Sequence, residues 1–167
     1  MPIATIFMVA VIALIIVGGI VFGKNLLGGG NLTNTEQEVS QIVSGVQSLY
    51  SNQVGFSGLN DSVAIRANIA PSNETNAANG TISNPYGGSI TLQPDTAYTN
   101  ASDVIVGGLG NGACAKLATG LTAQAVEING TTVASNGQPV SPATATSDCN
   151  AGAGANSITL VETQANG

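Results

Sequence analysis

Residues 1–23 read MPIATIFMVAVIALIIVGGIVFG, and the first charged side chain of the chain is Lys24. From Ile3 to Phe22 the run is almost wholly apolar. As an α-helix it would be about 30 Å long at a rise of about 1.5 Å per residue, the thickness of a bilayer's hydrocarbon core. A secretory signal would need a basic n-region, a shorter apolar core and a small-residue cleavage site. Nothing basic precedes this run, and it is too long. The segment therefore reads as a retained apolar stalk carrying a polar head, with a plain single-span anchor as the simplest alternative.

Outward from the stalk, composition narrows what the head can do. The chain has 167 residues, of which only 7% are charged, and a formal net charge of −6. Its only cations are Lys24, Arg66 and Lys116, too few for a basic patch, so nucleic-acid binding by counterion release is not expected. There is no histidine, which removes the commonest general base and metal ligand, and two cysteines cannot supply a four-ligand zinc site. No paired carboxylates stand at a catalytic spacing. No catalytic, cofactor-binding or metal site is expected, and the chain is not read as an enzyme.

Few aromatics and many Gly, Ser, Thr, Asn and Ala residues imply a modest core that needs reinforcement. Cys114 and Cys149, an even pair in an exported domain, read as a disulfide, with two buried free thiols as the alternative. The bridge would close a loop of 34 intervening residues. In the chain-entropy account that contributes about 4 kcal/mol.

Gly28-Gly29-Gly30 follows the stalk and is expected to be non-helical, a hinge dividing residues 1–30 from a head of residues 31–167. Thr35-Glu36-Gln37-Glu38 fits a capping box with Thr35 as N-cap. Val39, Ile42, Val43, Val46, Leu49 and Tyr50 then share one helical face, and Gly45 within it suggests a close contact. Residues 52–85 read as a long irregular stretch anchored by Phe56, Leu59, Val63, Ile65 and Ile69. Strands are expected at 89–92, 103–106, 125–128, 131–133 and 157–162, and a short helix at 113–121. Asn129-Gly130 is a type I′ hairpin signal. Helix followed by a run of strands gives an α+β fold with an antiparallel sheet.

Two motifs carry little weight. Gly108-Leu109-Gly110-Asn111-Gly112-Ala113 fits the dinucleotide fingerprint G-x-G-x-x-G/A, with Glu127 near its acidic position. The following helix is barely two turns and no βαβ alternation comes after it, so the glycines read as a tight turn between strand and helix. Asn-x-Ser/Thr occurs at Asn31, Asn60, Asn73, Asn79, Asn100 and Asn129, a motif of little specificity that agrees with an exposed head.

The order of parts resembles a type IV pilin, nearest the type IVb group of bundle-forming, toxin-coregulated and conjugative pilins. The stretches that carry the resemblance are Ser48-Leu49-Tyr50-Ser51, Phe56-Ser57-Gly58-Leu59, Ile82-Ser83-Asn84-Pro85-Tyr86-Gly87-Gly88 and Ala113-Cys114-Ala115-Lys116-Leu117. It implies an apolar assembly helix, an amphipathic continuation packed on an antiparallel sheet, and a disulfide-bounded C-terminal region. It further implies a subunit held in the inner membrane, cut by a leader peptidase to a processed terminus at Met1, and polymerised by assembly machinery into an extracellular homopolymeric pilus. Thr5 departs from the family's usual glutamate at the fifth mature position. Two other readings stand beside this one: a monomeric membrane-anchored extracytoplasmic binding domain, and an enzyme whose sole support is the glycine turn.

Overall fold

The structure, a computed structural model, describes residues 30–164. The stalk, Met1, Thr5, Lys24, Gly28 and Gly29 lie outside the described residues. Helix α1 (Gly30–Leu49) is followed by α2 (Asp61–Arg66), a 3-10 turn at Ser72–Glu74, β1 (Thr75–Asn76), β2 (Thr81–Ser83), β3 (Ser89–Pro94) and β4 (Ala101–Leu109). Then come α3 (Asn111–Gly120), the hairpin β5 (Ala125–Ile128) and β6 (Thr131–Ser135), α4 (Pro142–Asp148) and β7 (Asn156–Thr163).

The strands make one antiparallel seven-stranded sheet in the order β1-β2-β3-β4-β7-β5-β6. The last strand in sequence is thus central. Alternation along the strands sends Ile90, Leu92, Val104, Val106, Ile158 and Leu160 to one face, against Leu32, Val39, Ile42 and Val46 of α1. The opposite face holds a smaller cluster of Ala101, Ala125 and Val161 under Tyr98.

Three expectations change. Thr35 does not cap α1: the helix is already running from Gly30, and the Thr35 hydroxyl donates to the carbonyl of Asn31 at 2.7 Å within it. Gly30, expected in a non-helical hinge, is the first helical residue described. The stretch 52–85 is not irregular throughout. Asn60 caps α2 by accepting from the amide of Val63 at 3.0 Å, and β1 and β2 add two short strands at the edge of the sheet. Helix α4, which carried no expectation, starts at Ser141, whose hydroxyl accepts from the amide of Thr144 at 3.1 Å, with Pro142 in the first turn.

Other expectations hold. Asn129 and Gly130 take positive φ of 52° and 81° at the β5–β6 turn. A methyl group on Gly45 would stand 2.6 Å from Ile69 Cγ2, so the missing side chain lets α1 lie directly on the 67–70 segment.

Candidate assembly surface and its braces

Among the exposed residues of α1, Asn31, Asn34, Gln37, Gln41, Ser44 and Ser48 recur at intervals of three and four and form a stripe, with Gly30 and Leu49 exposed at its two ends. None is charged. The helix thus offers a polar but uncharged outer face on the element that continues the chain from the stalk. Burying such a face against another helix costs no ion desolvation, and amides and hydroxyls can bond across it.

The acidic groups of this region are turned inward. Glu36, Glu38, Asp103 and Glu162 are all buried. Both carboxyl oxygens of Glu38 are buried without a hydrogen-bond partner. Burial, with a smaller push from Glu74, raises its pKa to about 7. On β7, Glu162 shares the inner face with Leu160, and burial raises its pKa to about 8. It lines a small cleft beside α1 with Val39, Ser40, Val43, Gly120, Leu121, Thr122 and Leu160. On the other face Asp103 accepts from Gln93 Nε2 at 2.9 Å, and its pKa is raised to about 6, chiefly by burial and further by Asp95 and Glu127.

Two braces hold the head. Cys114 and Cys149 come together as a disulfide with Cα atoms 5.8 Å apart, tying the first turn of α3 to the end of α4. Beneath it sits Asn156, fully buried. Its Nδ2 donates to Asn111 Oδ1 at 2.8 Å, to Leu109 O at 3.1 Å and to Gly152 O at 3.2 Å. Its Oδ1 accepts from Ala151 N and from Asn129 Nδ2, each at 3.0 Å. Asn129 also donates to Asp148 O at 2.9 Å, so the hairpin turn is bound to the residue next to Cys149.

The second brace is Gln164. Its amide group donates to Tyr50 O and Gln53 O at 3.0 Å and to Gly55 O at 3.2 Å, and accepts from Gly55 N at 2.9 Å. The exit from β7 is thereby fixed to the end of α1. Sequence reading missed both asparagine and glutamine braces. Their only advance signal was the polar dipeptides at 111–112 and 129–130, which read as turns.

The glycine fingerprint serves a backbone crossing in this geometry. Gly108 has φ of 72°, and a methyl group on it would lie 2.6 Å from Gly88 Cα. A methyl on Gly88 would collide with the carbonyl oxygen of Gly107. The glycines let two backbones cross between the 84–88 turn and β4. The strand before them belongs to an antiparallel sheet, and Glu127 lies on β5 within that sheet. Among the described residues, no group of three or more His, Cys, Asp or Glu side chains is placed to hold a metal ion, and no described helix is long and apolar enough to cross a membrane.

This architecture, one long helix laid on an antiparallel sheet with a cysteine-bounded C-terminal region, is that of a type IVb pilin head. The fold matches a type IV b pilin from Salmonella typhi with a TM-score of 0.61 at 22% identity, covering 82% of this chain and 99% of that one. It matches TcpA, a type IV pilin from Vibrio cholerae El Tor biotype, with a TM-score of 0.60 at 13% identity over 81% of this chain and 100% of that one. In sequence, the chain is 28% identical over 114 residues to the major structural subunit of bundle-forming pilus of Escherichia coli O127:H6 and of Escherichia coli O111:H-. That stretch covers 67% of this chain and 59% of each relative. The profile described as PilS N terminal matches residues 30–163, and the chain belongs to that family.

Proposed function

We propose that this chain is the structural subunit of a type IV pilus, polymerising through its apolar N-terminal segment into an extracellular filament of like subunits. The observation that carries the reading is the uncharged outer stripe of α1, directly continuous in sequence with an apolar run of filament-core character. An apolar helix is stable in lipid and equally stable among copies of itself. Ala4, Ala10, Ala13, Gly18 and Gly19 permit close helix approach. A repeated heterologous contact that does not close into a ring gives an open helical polymer. Before assembly the stalk would hold the subunit in the inner membrane. A leader peptidase would expose Met1, and the assembly machinery would draw the subunit into the fibre. The role is mechanical, without catalysis, cofactor or nucleic acid.

Electron microscopy of fibres sheared from the cell surface, with mass spectrometry of their subunit, tests the reading; the terminal peptide in the same spectra should begin at Met1. Ala13→Asp should abolish fibres while the head still forms its disulfide, because an acidic residue at the centre of an apolar span costs about 2.5–3.5 kcal/mol. Normal fibres from Ala13→Asp chains would take the stalk out of the core. Absence of fibres from the unaltered chain, with the protein in the membrane fraction, would favour the anchored binding domain.

A further inference from the structure

Asparagine followed directly by glycine is chemically labile, because glycine has no Cβ to shield its backbone nitrogen from the asparagine side-chain carbonyl. The pair stands at 79–80, 111–112, 129–130 and 136–137 among the described residues, and again at 166–167 outside them. All four described asparagines are exposed, so exposure does not separate them. Their hydrogen bonds do. Asn111 Oδ1 accepts from Asn156 Nδ2 at 2.8 Å and from Gly152 N at 3.0 Å, and Gly112 lies in the first turn of α3. Asn129 is held at both ends of its side-chain amide, donating to Asp148 O at 2.9 Å and accepting from Ser157 N at 2.9 Å. At 136–137 the attacking nitrogen is itself tied: Gly137 N donates to Ala123 O at 2.9 Å, and Asn136 Oδ1 accepts from Gln124 Nε2 at 3.1 Å. Asn79 differs. In the turn between β1 and β2, Asn76 Oδ1 accepts from the backbone nitrogens of Ala78 at 3.1 Å and Asn79 at 3.2 Å. That brace engages the Asn79 backbone and leaves its side-chain amide with no hydrogen bond among the described residues. The turn also calls for glycine beside it, since Gly80 has φ of 65°.

We propose that Asn79 is a site of spontaneous deamidation, the one Asn-Gly pair of these four that the folded head leaves free to react. The Gly80 backbone nitrogen attacks Asn79 Cγ and forms the new N–Cγ bond. The Cγ–Nδ2 bond breaks, the displaced amine takes the Gly80 N–H proton and leaves as ammonia, and a cyclic imide remains. Water then opens the ring. Addition at Cγ gives aspartate, and addition at the main-chain carbonyl carbon gives isoaspartate, in which the chain runs through the former side chain. Either product places a new carboxylate at position 79 of a head that is already acidic. The isoaspartyl form also inserts a carbon into the β1–β2 turn, whose register rests on the pairs Thr75–Ile82 and Asn76–Thr81. Charge and slack therefore enter at the edge of the sheet that the disulfide does not reach. The reaction needs only the folded head and water, so the inference is independent of the filament reading.

Purified full-length protein, aged in mildly alkaline buffer and then digested with chymotrypsin in oxygen-labelled water, tests this by mass spectrometry. Cleavage after Tyr86 separates Asn79 from Asn111, and any conversion during digestion carries the label and is discounted. The aspartate and isoaspartate forms of the Asn79 peptide should accumulate at least roughly tenfold faster than those at Asn111, Asn129 or Asn136, each of which must first open locally. In the reduced chain unfolded in guanidinium, the four sites should convert at similar rates. Asn79→Gln should abolish the fast conversion and leave the other three sites unchanged. Conversion at Asn111, Asn129 or Asn136 as fast as at Asn79 in the folded protein would overturn the assignment. So would an Asn79 lead that persists in the unfolded chain, which would trace it to local sequence and not to the fold. An Asn79 side chain that stays intact as the folded protein ages, or that carries a glycan, would overturn it as well.

Discussion

The head makes two long excursions from the central strands of its sheet, each returning edge strands to it, and they are fastened by different means. The first, residues 52–88 between α1 and β3, has no covalent tie. Its clasp is Asn84, 2% exposed, whose Nδ2 donates to Gly107 O at 2.8 Å and Ser89 O at 3.2 Å, and whose Oδ1 accepts from Tyr86 N at 3.0 Å and Gly88 N at 3.2 Å. Asp61 adds a link by accepting from Leu92 N at 2.6 Å. The second excursion, residues 110–156, has the same kind of clasp in Asn156 and the Cys114–Cys149 bond as well. Each buried asparagine satisfies backbone groups that the loop cannot pair for itself, which is the condition for burying irregular chain at all. The difference is where a rupture would travel. Between Cys114 and Cys149 lie α3, the β5–β6 hairpin and α4, so loosening there reaches one edge of the sheet. Loosening of 52–88 reaches the other edge, β1–β2.

The largest break in this comparison should come from the bond itself. Cys114→Ser with Cys149→Ser should destabilise the head by about 4 kcal/mol through the unfolded chain's regained freedom, measured by denaturant melts. Amide exchange should rise in 111–149 and remain slow in 89–94. Next, Asn156→Ala should cost about 3 kcal/mol even with the disulfide intact. It strands the buried Leu109 O, at about 1–3 kcal/mol for a buried group left unpaired, and removes the acceptor of the half-buried Ala151 N bond, partly relieved by relaxation. Asn84→Ala should cost a similar amount but raise exchange in 75–90 instead. If both variants loosen the same segment, the two clasps are not independent.

A smaller effect belongs to the packing of the first excursion on α1. Gly45→Ala should lose about 1–2 kcal/mol despite gaining about 1 kcal/mol of helix propensity, because the new methyl meets Ile69 at 2.6 Å. Gly45→Ala combined with Ile69→Val should recover part of the loss, which a double-mutant cycle would read.

A further expected effect is a pH slope. Glu38, Asp103 and Glu162 all have folded-state pKa values raised, to about 7, 6 and 8, with burial as the leading cause in each case. A raised carboxyl holds its proton in the folded state where the unfolded chain has lost it. Stability from these groups is therefore complete below about pH 4 and is lost as pH rises through about 6 to 8. The isolated head should melt at a lower temperature at pH 8 than at pH 5. Glu38→Gln should flatten the slope near pH 7, locating it on the side of α1 that faces the first excursion. A head whose melting temperature climbs between pH 5 and pH 8 would contradict the assignment.

Much of this was legible in sequence. The amphipathic period of 39–50 marked the inner face of α1 at Val39, Ile42, Val46 and Tyr50, although Leu49, expected on that face, is 45% exposed; Asn129-Gly130 fixed a hairpin, and Gly45 marked a close contact before the neighbour was known. Misreadings had a common source. Thr35 and Glu38 match a capping box in spacing, yet spacing is silent on whether a helix has already begun upstream. By contrast, Gly108–Ala113 reads as a tight turn despite its fingerprint spacing, and that reading holds: a methyl on Gly108 would meet Gly88 Cα, while one on Gly110 or Gly112 would meet nothing. Helices α2 and α4 are short, with weak apolar periods, and their caps Asn60 and Ser141 look like any turn residue.

By itself the sequence determined an apolar stalk, a helix with one greasy face, a run of strands and two cysteines able to pair. Those follow from local propensity and side-chain period. Tertiary structure alone decided that β7, last in the chain, enters between β4 and β5, because strand order depends on which apolar faces meet and not on their order of synthesis. It also decided that Asn156, Asn84 and Gln164 are clasps and that Glu162 ends in a cleft beside α1. A polar side chain acquires such a role only when distant backbone groups are brought around it, and no pattern along the chain encodes that meeting.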